Sequence, residues 1–482
     1  MITFFIALLL LFLGYWLYSR FIERMLAADP DRPTPAVTMA DGVDYVPMKP
    51  WRIFLIQFLN IAGVGPIVGA IMGAQFGTAS FLWIVFGSIF AGAVHDFISG
   101  FMSLRNNGCS LPELHGKYLG GGVKQFMRYF TVILMILVGA VFVKTPAQLL
   151  INNFTPDWQV WIWPVIIFVY YMLATMLPID KLIGRIYPVF GILLLLMAVF
   201  VMCAFFFRPE VHLTEVWEGL SNRHPNAASN PIFPMMFVSI ACGAISGFHA
   251  TQSPLMARCM VSEKQARPIF YGAMIAEGCV ALIWAAAATY FFHDKAGLCA
   301  GKGGDAMVGV IANEWFTPVL AVVTVLGVIA AAITSGDTAL RSARLIVADI
   351  FHIDQKPVYK RFLVALPVFL LAGAILVYTF VDADGFQTIW RYFAWANQLL
   401  SMVTLYAITV YLIRNGKCWW VSFVPALFMT MVCSSYILIA KEGFHLSAPA
   451  AYSIGALLTL TAALLCVRYA IVYRKNNPLC EK

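Results

Sequence analysis

Two glycine-rich stretches decide how this sequence folds: FLNIAGVGPIVGA at residues 58–70 and FVSIACGAISGFHATQSP at residues 237–254. Each interrupts an otherwise apolar segment, and Gly and Pro at this density weaken helical backbone bonding. Backbone groups released from a helix are tolerated in hydrocarbon only when they are buried in protein or line a cavity. The two stretches also resemble each other, since FLNIA at residues 58–62 aligns with FVSIA at residues 237–241. They therefore predict two broken helices of similar construction.

The composition places the chain in a membrane. Hydrophobic residues make up 61% and charged residues 12% of its 482 positions, and the mean hydropathy is +0.81. Soluble domains are about 45–50% apolar and about 25% charged, so this composition does not supply a water-soluble surface. The net charge of +8 comes from Lys and Arg between apolar segments, so nucleic acid is not an expected partner. The ten cysteines form no close-spaced pair, and we expect them to be buried hydrophobes rather than disulfides or metal ligands.

A bilayer core needs roughly 20 apolar residues per helix, and about 13 such spans are expected. They lie near residues 2–19, 52–76, 79–102, 127–150, 158–177, 184–207, 232–256, 268–292, 316–340, 361–381, 387–413, 418–440 and 447–472. The two breaks fall in the second and seventh spans, so their segments cross the membrane in opposite directions. Glycine also allows close helix packing, but paired breaks in two halves are typical of the inverted repeats that form transporter substrate sites.

The positive charges alternate along these spans. If the N-terminus is outside, the inside loops and the inside ends of the spans carry 25 of the 32 Lys and Arg residues. Cytoplasmic loops of membrane proteins carry such an excess. The expected orientation therefore has the N-terminus outside and the C-terminus in the cytoplasm.

The two breaks are the expected substrate site. The candidate contacts are Asn60, Ala62, Gly63, Val64 and Gly65 at the first break, and Cys242, Gly243, Ser246 and His249 at the second. A half-helix that begins at a break offers unpaired N–H groups and the positive end of its dipole, which suit a carboxylate. His249 either bonds the substrate or senses protonation, or it is a buried histidine satisfied by backbone carbonyls.

Ionisable groups within spans are costly and are functional candidates by default. His95 and Asp96, near the expected cytoplasmic end of the third span, are either an interfacial pair or a gate or proton relay. Glu277, inside the eighth span, is neutral, paired or proton-carrying. Lys144 is either the partner of a buried carboxylate such as Glu277 or a counter-charge for an anionic substrate.

Thr334, Ser335 and Asp337 place three oxygen-bearing side chains within one turn of the ninth span, where they would face the second span. Oxygen ligands suit a hard cation, so Na⁺ at Thr334 and Ser335 is one interpretation. The other is an ion pair between Asp337 and Arg341, four residues on. No other metal and no cofactor is expected; the expected coupling ion is H⁺, with Na⁺ as the alternative.

Enzymatic motifs do not stand out in the sequence, which contains no GxSxG elbow, HExxH motif or phosphate loop. A membrane-embedded enzyme would need a convergent catalytic set, and a solute sensor would usually carry a soluble signalling domain. Both remain alternatives of a different class. The expected class is a secondary transporter and not an enzyme.

Five stretches resemble the carbon starvation protein A (CstA) transporters. They are IAGVGPIVGAIMGAQFG (61–77), AGAVHDFISGFMSLRNNGCSLPEL (91–114), SIACGAISGFHATQSP (239–254), GDTALRSAR (336–344) and WANQLL (395–400). They are spread over spans 2 to 11. The chain departs from the longer members in lacking much of their length beyond the core, and in Ser253-Pro254-Leu255 after the second break.

The resemblance implies an all-α fold of the amino acid–polyamine–organocation superfamily with a five-plus-five inverted-repeat core. Residues 51–230 and 231–415 would be the repeats, 1–50 an added N-terminal helix and loop, and 416–482 two added C-terminal helices. It also implies proton-coupled uptake of pyruvate or short peptides across the cell inner membrane during carbon starvation. A Na⁺-coupled amino acid or peptide carrier is the alternative.

Overall fold

The computed structural model describes residues 1–42, 44–177, 179–299, 302–382 and 385–477, without the side chains of residues 179–186. Within these ranges the regular structure is entirely helical, as the apolar spans predict. The ends of the helices are joined by short loops, several of which contain one-turn helices.

Ten helices are long and apolar enough to cross a membrane within the described residues. They are Ile2–Leu26, Ala79–Arg105, Gly121–Phe154, Tyr187–Phe207, Glu263–Asp294, Pro318–Phe351, Val358–Val381, Gly385–Arg414, Trp420–Ile439 and Ala448–Asn476. A bent pair, Pro50–Ile61 and Gly65–Ala74, makes an eleventh. The expected 13 spans are reached only by also counting Ile162–Met176, which has 15 residues, and the broken segment at 232–257.

Both predicted breaks are present. At the first, the helix Pro50–Ile61 ends, and the chain bends by 50° into Gly65–Ala74. At the second, helical structure stops after Ser239 and resumes at Gly247. Gly243 lies between them with φ +73°, a left-handed conformation that glycine adopts without strain. We call residues 50–74 the first broken helix and residues 232–257 the second broken helix.

The broken helices lie in the centre of the molecule. The second half of the second broken helix, Gly247–Ala257, is buried at every residue. The two longest helices, Gly121–Phe154 and Pro318–Phe351, pack along each other beside the breaks. Close approach between them is possible because Gly139 faces Leu340, where a β-carbon would lie 2.6 Å from the leucine side chain.

Loops that the charge alternation assigns to one side of the membrane contact one another. The 26–49 loop reaches the loop after the second broken helix, with Asp29 N–H donating to Glu263 Oε2 at 2.8 Å. At the opposite end, Thr3 N–H donates to Glu215 Oε2 at 2.7 Å. The two segments that meet at each of these contacts therefore belong to the same predicted set. Which set faces the cytoplasm stays a prediction, as do the repeat boundaries.

The helices at the two ends of the chain pack on the outside of this assembly. Ile2–Leu26 contacts Glu263–Asp294, and Trp420–Ile439 contacts Gly385–Arg414. The last helix, Ala448–Asn476, is 11% buried over its most apolar window and presents most of its surface to lipid. These helices thus surround the centre and contribute little to the breaks.

Candidate functional site

The two breaks touch each other. A β-carbon on Gly65 would overlap Cys242 Sγ and lie 2.6 Å from Cys242 Cβ. A β-carbon on Gly69 would lie 3.0 Å from the Ser239 carbonyl oxygen. Glycine is needed here because the backbones of the two broken helices meet without room for a side chain. The structure thus brings the two halves of the predicted substrate site together.

The polar groups of the first break are few. Asn60 is fully buried, and neither its amide nitrogen nor its amide oxygen has a hydrogen-bond partner among the described residues. Ala62 is no longer helical, with ψ 50°. Gly63 N–H donates to Ile61 O at 2.8 Å. Val64 is fully buried beside them. An unpaired buried amide is rare in native proteins, so Asn60 marks the first break as a place where a ligand can supply hydrogen bonds.

The second break is held by Asn397 from the Gly385–Arg414 helix. Its Oδ1 accepts from Phe248 N–H at 2.7 Å and from Ser246 Oγ at 3.1 Å, and its Nδ2 donates to Ala241 O. The neighbouring Gln398 donates from Nε2 to Ile240 O at 3.2 Å. The sequence analysis did not include Asn397 in the site. The only signal was a pair of amide side chains inside an apolar span.

His249 lies between two carboxylates. Its Nδ1 is 2.9 Å from Asp96 Oδ2, and its Nε2 is 3.3 Å from Glu277 Oε2. All three side chains are fully buried. Carboxylates, and not backbone carbonyls, therefore surround this histidine. Glu277 Oε1 in turn accepts from Gly243 N–H at 3.1 Å, which ties the eighth span to the turn of the second break.

His95 and Asp96 are not an interfacial pair. Both are fully buried, and His95 Nδ1 lies 2.8 Å from Asp96 Oδ1. Each carboxylate oxygen of Asp96 thus contacts a different histidine. The interfacial interpretation is wrong because the Ala79–Arg105 helix turns this part of its surface toward the second broken helix, from which His249 reaches Asp96.

Thr334 and Ser335 face the first broken helix, as expected. Both hydroxyls donate to Leu59 O, at 3.3 and 3.0 Å. Asp337 faces elsewhere: its Oδ2 accepts from Tyr187 Oη at 3.2 Å, and its Oδ1 has no hydrogen-bond partner within the described ranges. Tyr187 also donates to Thr334 O at 3.0 Å. Tyr187 is a lone tyrosine in an apolar span, and no sequence signal points to it.

Two of the expected pairings are wrong. Arg341 donates to Ala174 O at 2.6 Å and to Leu177 O at 2.9 Å, and it makes no ion pair with Asp337 in the part of the chain described. It caps the end of Ile162–Met176, where basic side chains favour free carbonyls. Lys144 does not reach Glu277. Its Nζ donates to Gln148 Oε1 at 3.1 Å and lies 3.4 Å from the Phe380 ring centroid.

A cavity of about 650 Å³ opens at the end of the molecule that holds the 208–231 loop. Its lining includes Val238 and Ser239, which come directly before the second break. Lys302 and Lys441 contribute positive charge to its wall, where Arg391 forms an ion pair with Glu442 at 3.3 Å. The cavity therefore forms an approach to the breaks from that side.

The sequence model of the family described as "Carbon starvation protein CstA" matches residues 1–160, 145–299 and 298–435. An uncharacterised membrane protein of Haemophilus influenzae is 43% identical over 346 residues, covering 62% of this chain and 93% of the relative. The peptide transporter CstA of Escherichia coli is 25% identical over 560 residues, covering 88% and 78%. The pyruvate/proton symporter BtsT of Escherichia coli is 29% identical over 345 residues, covering 57% and 47%.

Two solved structures share the fold. A manganese transporter of Eremococcus coleocola superposes with a TM-score of 0.57 at 13% identity, covering 91% of this chain and 99% of that one. MhsT in complex with L-phenylalanine gives 0.57 at 14% identity, covering 86% and 99%. At these identities the likeness concerns the fold alone, which is of the leucine-transporter type with two broken helices.

Proposed function

This chain belongs to the carbon starvation protein CstA family and is a multi-pass membrane transporter, and we propose that it imports small carboxylate nutrients, either pyruvate or short peptides, driven by the proton gradient. The relatives named for peptide transport and for pyruvate/proton symport support this range of substrates. Both kinds of substrate carry a carboxylate. The proposed membrane is the cell inner membrane, with the N-terminus outside and the C-terminus in the cytoplasm.

The observation that carries the proposal is the contact between the two breaks around the unpaired amide of Asn60. The helix Gly65–Ala74 begins at the same place, so its positive end lies next to that amide. An Asn side chain can donate to a carboxylate while its own oxygen accepts from a substrate N–H or hydroxyl. The substrate site of this proposal comprises Asn60 to Gly65 of the first broken helix and Cys242 to His249 of the second.

Asp337 is the proposed coupling group. It is a fully buried carboxylate with one oxygen unpaired in the described structure, so a proton arriving there removes an uncompensated charge from the membrane interior. The same helix contacts the first break through Thr334 and Ser335. Asp96 and Glu277 rank second because each already faces His249. Na⁺ at Thr334, Ser335 and Leu59 O is the alternative coupling site.

The cavity at the end of the molecule that holds the 208–231 loop suits the entry of an anionic substrate. In the proposed orientation the cavity of about 650 Å³ faces outside, and Lys302 and Lys441 lie in its wall beside the ion pair of Arg391 and Glu442. Positive charge in a cleft raises the local concentration of anions and speeds their capture. Lys144 is not among the described residues that line this cavity, and its contacts with Gln148 and Phe380 assign it no direct role.

Uptake into proteoliposomes tests the proposal. Labelled pyruvate and labelled dipeptides are offered separately under an imposed proton gradient, an imposed Na⁺ gradient or neither. We expect accumulation of at least one substrate under the proton gradient. Accumulation driven by Na⁺ alone would favour the alternative carrier, and accumulation of neither substrate under any gradient would overturn the importer.

Asp337→Asn separates coupling from binding. The variant should lose accumulation under the proton gradient but keep exchange of labelled for unlabelled substrate, since the amide keeps the shape and carries no titrating proton. Glu314→Gln is the control, because Glu314 is exposed and pairs only with Lys295 among the described contacts. If Asp337→Asn accumulates substrate as the wild type does, Asp337 is not the coupling group.

A further inference from the structure

Three potential metal ligands meet at the second break. The Sγ of Cys242, a ring nitrogen of His249 and a carboxylate oxygen of Glu277 all lie within 4.8 Å of one another. The three residues are at most 1% exposed. Cys242 lies in the unwound turn of the break, His249 lies in the half-helix that follows it, and Glu277 comes from the Glu263–Asp294 helix. From the sequence, Cys242 is expected to be a buried hydrophobe and a substrate contact, and not a metal ligand.

The atoms that face the middle of this cluster are the ones without hydrogen bonds. His249 Nε2 and Glu277 Oε2 are 3.3 Å apart, yet neither has a hydrogen-bond partner in the described part of the chain. Their other polar atoms are occupied, His249 Nδ1 by Asp96 and Glu277 Oε1 by Gly243 N–H. Buried polar atoms are nearly always paired. The two atoms are close enough to form an ion pair when His249 is protonated, but neither makes a hydrogen bond, so both can bind a third group at this point.

The distance between His249 Nε2 and Glu277 Oε2 suits two ligands of a tetrahedral metal ion. With metal–nitrogen and metal–oxygen distances of about 2.0–2.2 Å, two ligand atoms in tetrahedral geometry are roughly 3.3–3.5 Å apart. The observed separation of His249 Nε2 from Glu277 Oε2 is 3.3 Å. Asp96, bound to the far nitrogen of the same ring at 2.9 Å, holds the position of the carboxylate that usually orients a metal-binding histidine.

We propose that Cys242, His249 and Glu277 bind one divalent transition-metal cation, for which Zn²⁺ is the best match. Thiolate, imidazole and carboxylate together select such cations, whereas Mg²⁺ and Ca²⁺ require oxygen ligands alone. Three protein ligands leave a fourth position open. The ion clamps the turn and the second half of the second broken helix to Glu277. This assignment does not depend on which substrate is carried or on the coupling at Asp337.

Gly243 explains how the chain can form this site. It has φ +73°, and a β-carbon there would lie 2.7 Å from Ala281 Cβ, one turn beyond Glu277 on the same helix. The turn of the break therefore lies directly against the helix that carries Glu277. The amide of Asn397 approaches Cys242 Sγ at 3.8 Å, a distance at which its Nδ2–H group can donate weakly to the sulfur.

Metal content is the direct test. The full chain, purified in detergent, is stripped with chelator, reloaded with Zn²⁺ and desalted, and its zinc is measured by mass spectrometry. We expect about one zinc per chain in the wild type and at least tenfold weaker binding in Cys242→Ser and Glu277→Gln. Asp96→Asn should weaken binding about 10–100-fold through the orientation of His249. Cys433→Ser is the matched control, a buried cysteine in Trp420–Ile439 that should leave zinc unchanged.

Loading with Co²⁺ gives a readout that does not need variants. A cobalt–thiolate bond produces a charge-transfer band in the near ultraviolet, which should be present in the wild type and in Cys433→Ser and absent in Cys242→Ser. Wild-type protein that retains no zinc and gives no such band overturns the site, even if the variants fail to fold. Equal zinc content in wild type and Cys242→Ser would overturn it as well.

Discussion

Replacing Gly65 by Ala tests whether the contact between the breaks matters for transport. The new β-carbon would overlap Cys242 Sγ and lie 2.6 Å from Cys242 Cβ, so the two broken helices must move apart. Inserting a methyl group into a packed interior typically costs about 1–3 kcal/mol. Such a cost lowers the population of the state in which the breaks touch by about 5–150-fold.

Initial uptake rates in proteoliposomes measure this loss, and thermal unfolding in detergent measures the strain. We expect both to fall in Gly65→Ala. Gly122→Ala is the control, since Gly122 lies in a helix with no atom within 4 Å of an added β-carbon. If Gly65→Ala unfolds and transports as the control does, the breaks do not need to touch, and the argument for a substrate site between them fails.

Two further changes test other contacts. Asn397→Leu leaves Phe248 N–H and Ala241 O buried without partners, which costs about 1–3 kcal/mol for each group. The unfolding temperature of this variant should therefore fall well below that of Asn152→Leu, a control at an exposed position. Equal unfolding temperatures would contradict the role of Asn397. For Glu215, burial acts to raise the pKa, but hydrogen bonds from the N-terminal amino group and Thr3 outweigh it and lower the pKa from 4.5 to about 2. The stabilising effect of ionised Glu215 is thus complete above about pH 4.5 and is lost as the pH falls toward 2. The unfolding temperatures of the wild type and of Glu215→Gln should therefore differ at neutral pH and converge in acid. A difference that stays constant with pH would refute this role of Glu215.

The breaks could be predicted from sequence because their cause is local. Gly and Pro weaken a helix wherever it packs, so the positions near Gly63 and Gly243 follow from residue type. The partners of buried polar groups depend on which helix faces which. Asp96 with His249, and Asp337 with Tyr187 rather than Arg341, are choices of tertiary packing that one sequence does not contain.

The two breaks differ in what stabilises them, and this has a consequence for mechanism. The backbone of the second break is bonded by side chains from three other helices, through Asn397, Glu277 and Ser88, whose Oγ donates to Gly243 O at 2.9 Å. The first break receives hydroxyl groups from a single helix, through Leu59 O, while Asn60 has no partner in the described structure. Rearranging the first break therefore disrupts fewer buried hydrogen bonds, each of which is expensive to leave unmade in hydrocarbon. A proton at Asp337, the proposed coupling group, would act through the helix that contacts this less constrained break, whereas a metal at Cys242 would hold the more constrained one in place. Movement during transport is accordingly expected in the first broken helix, against a second broken helix that stays fixed.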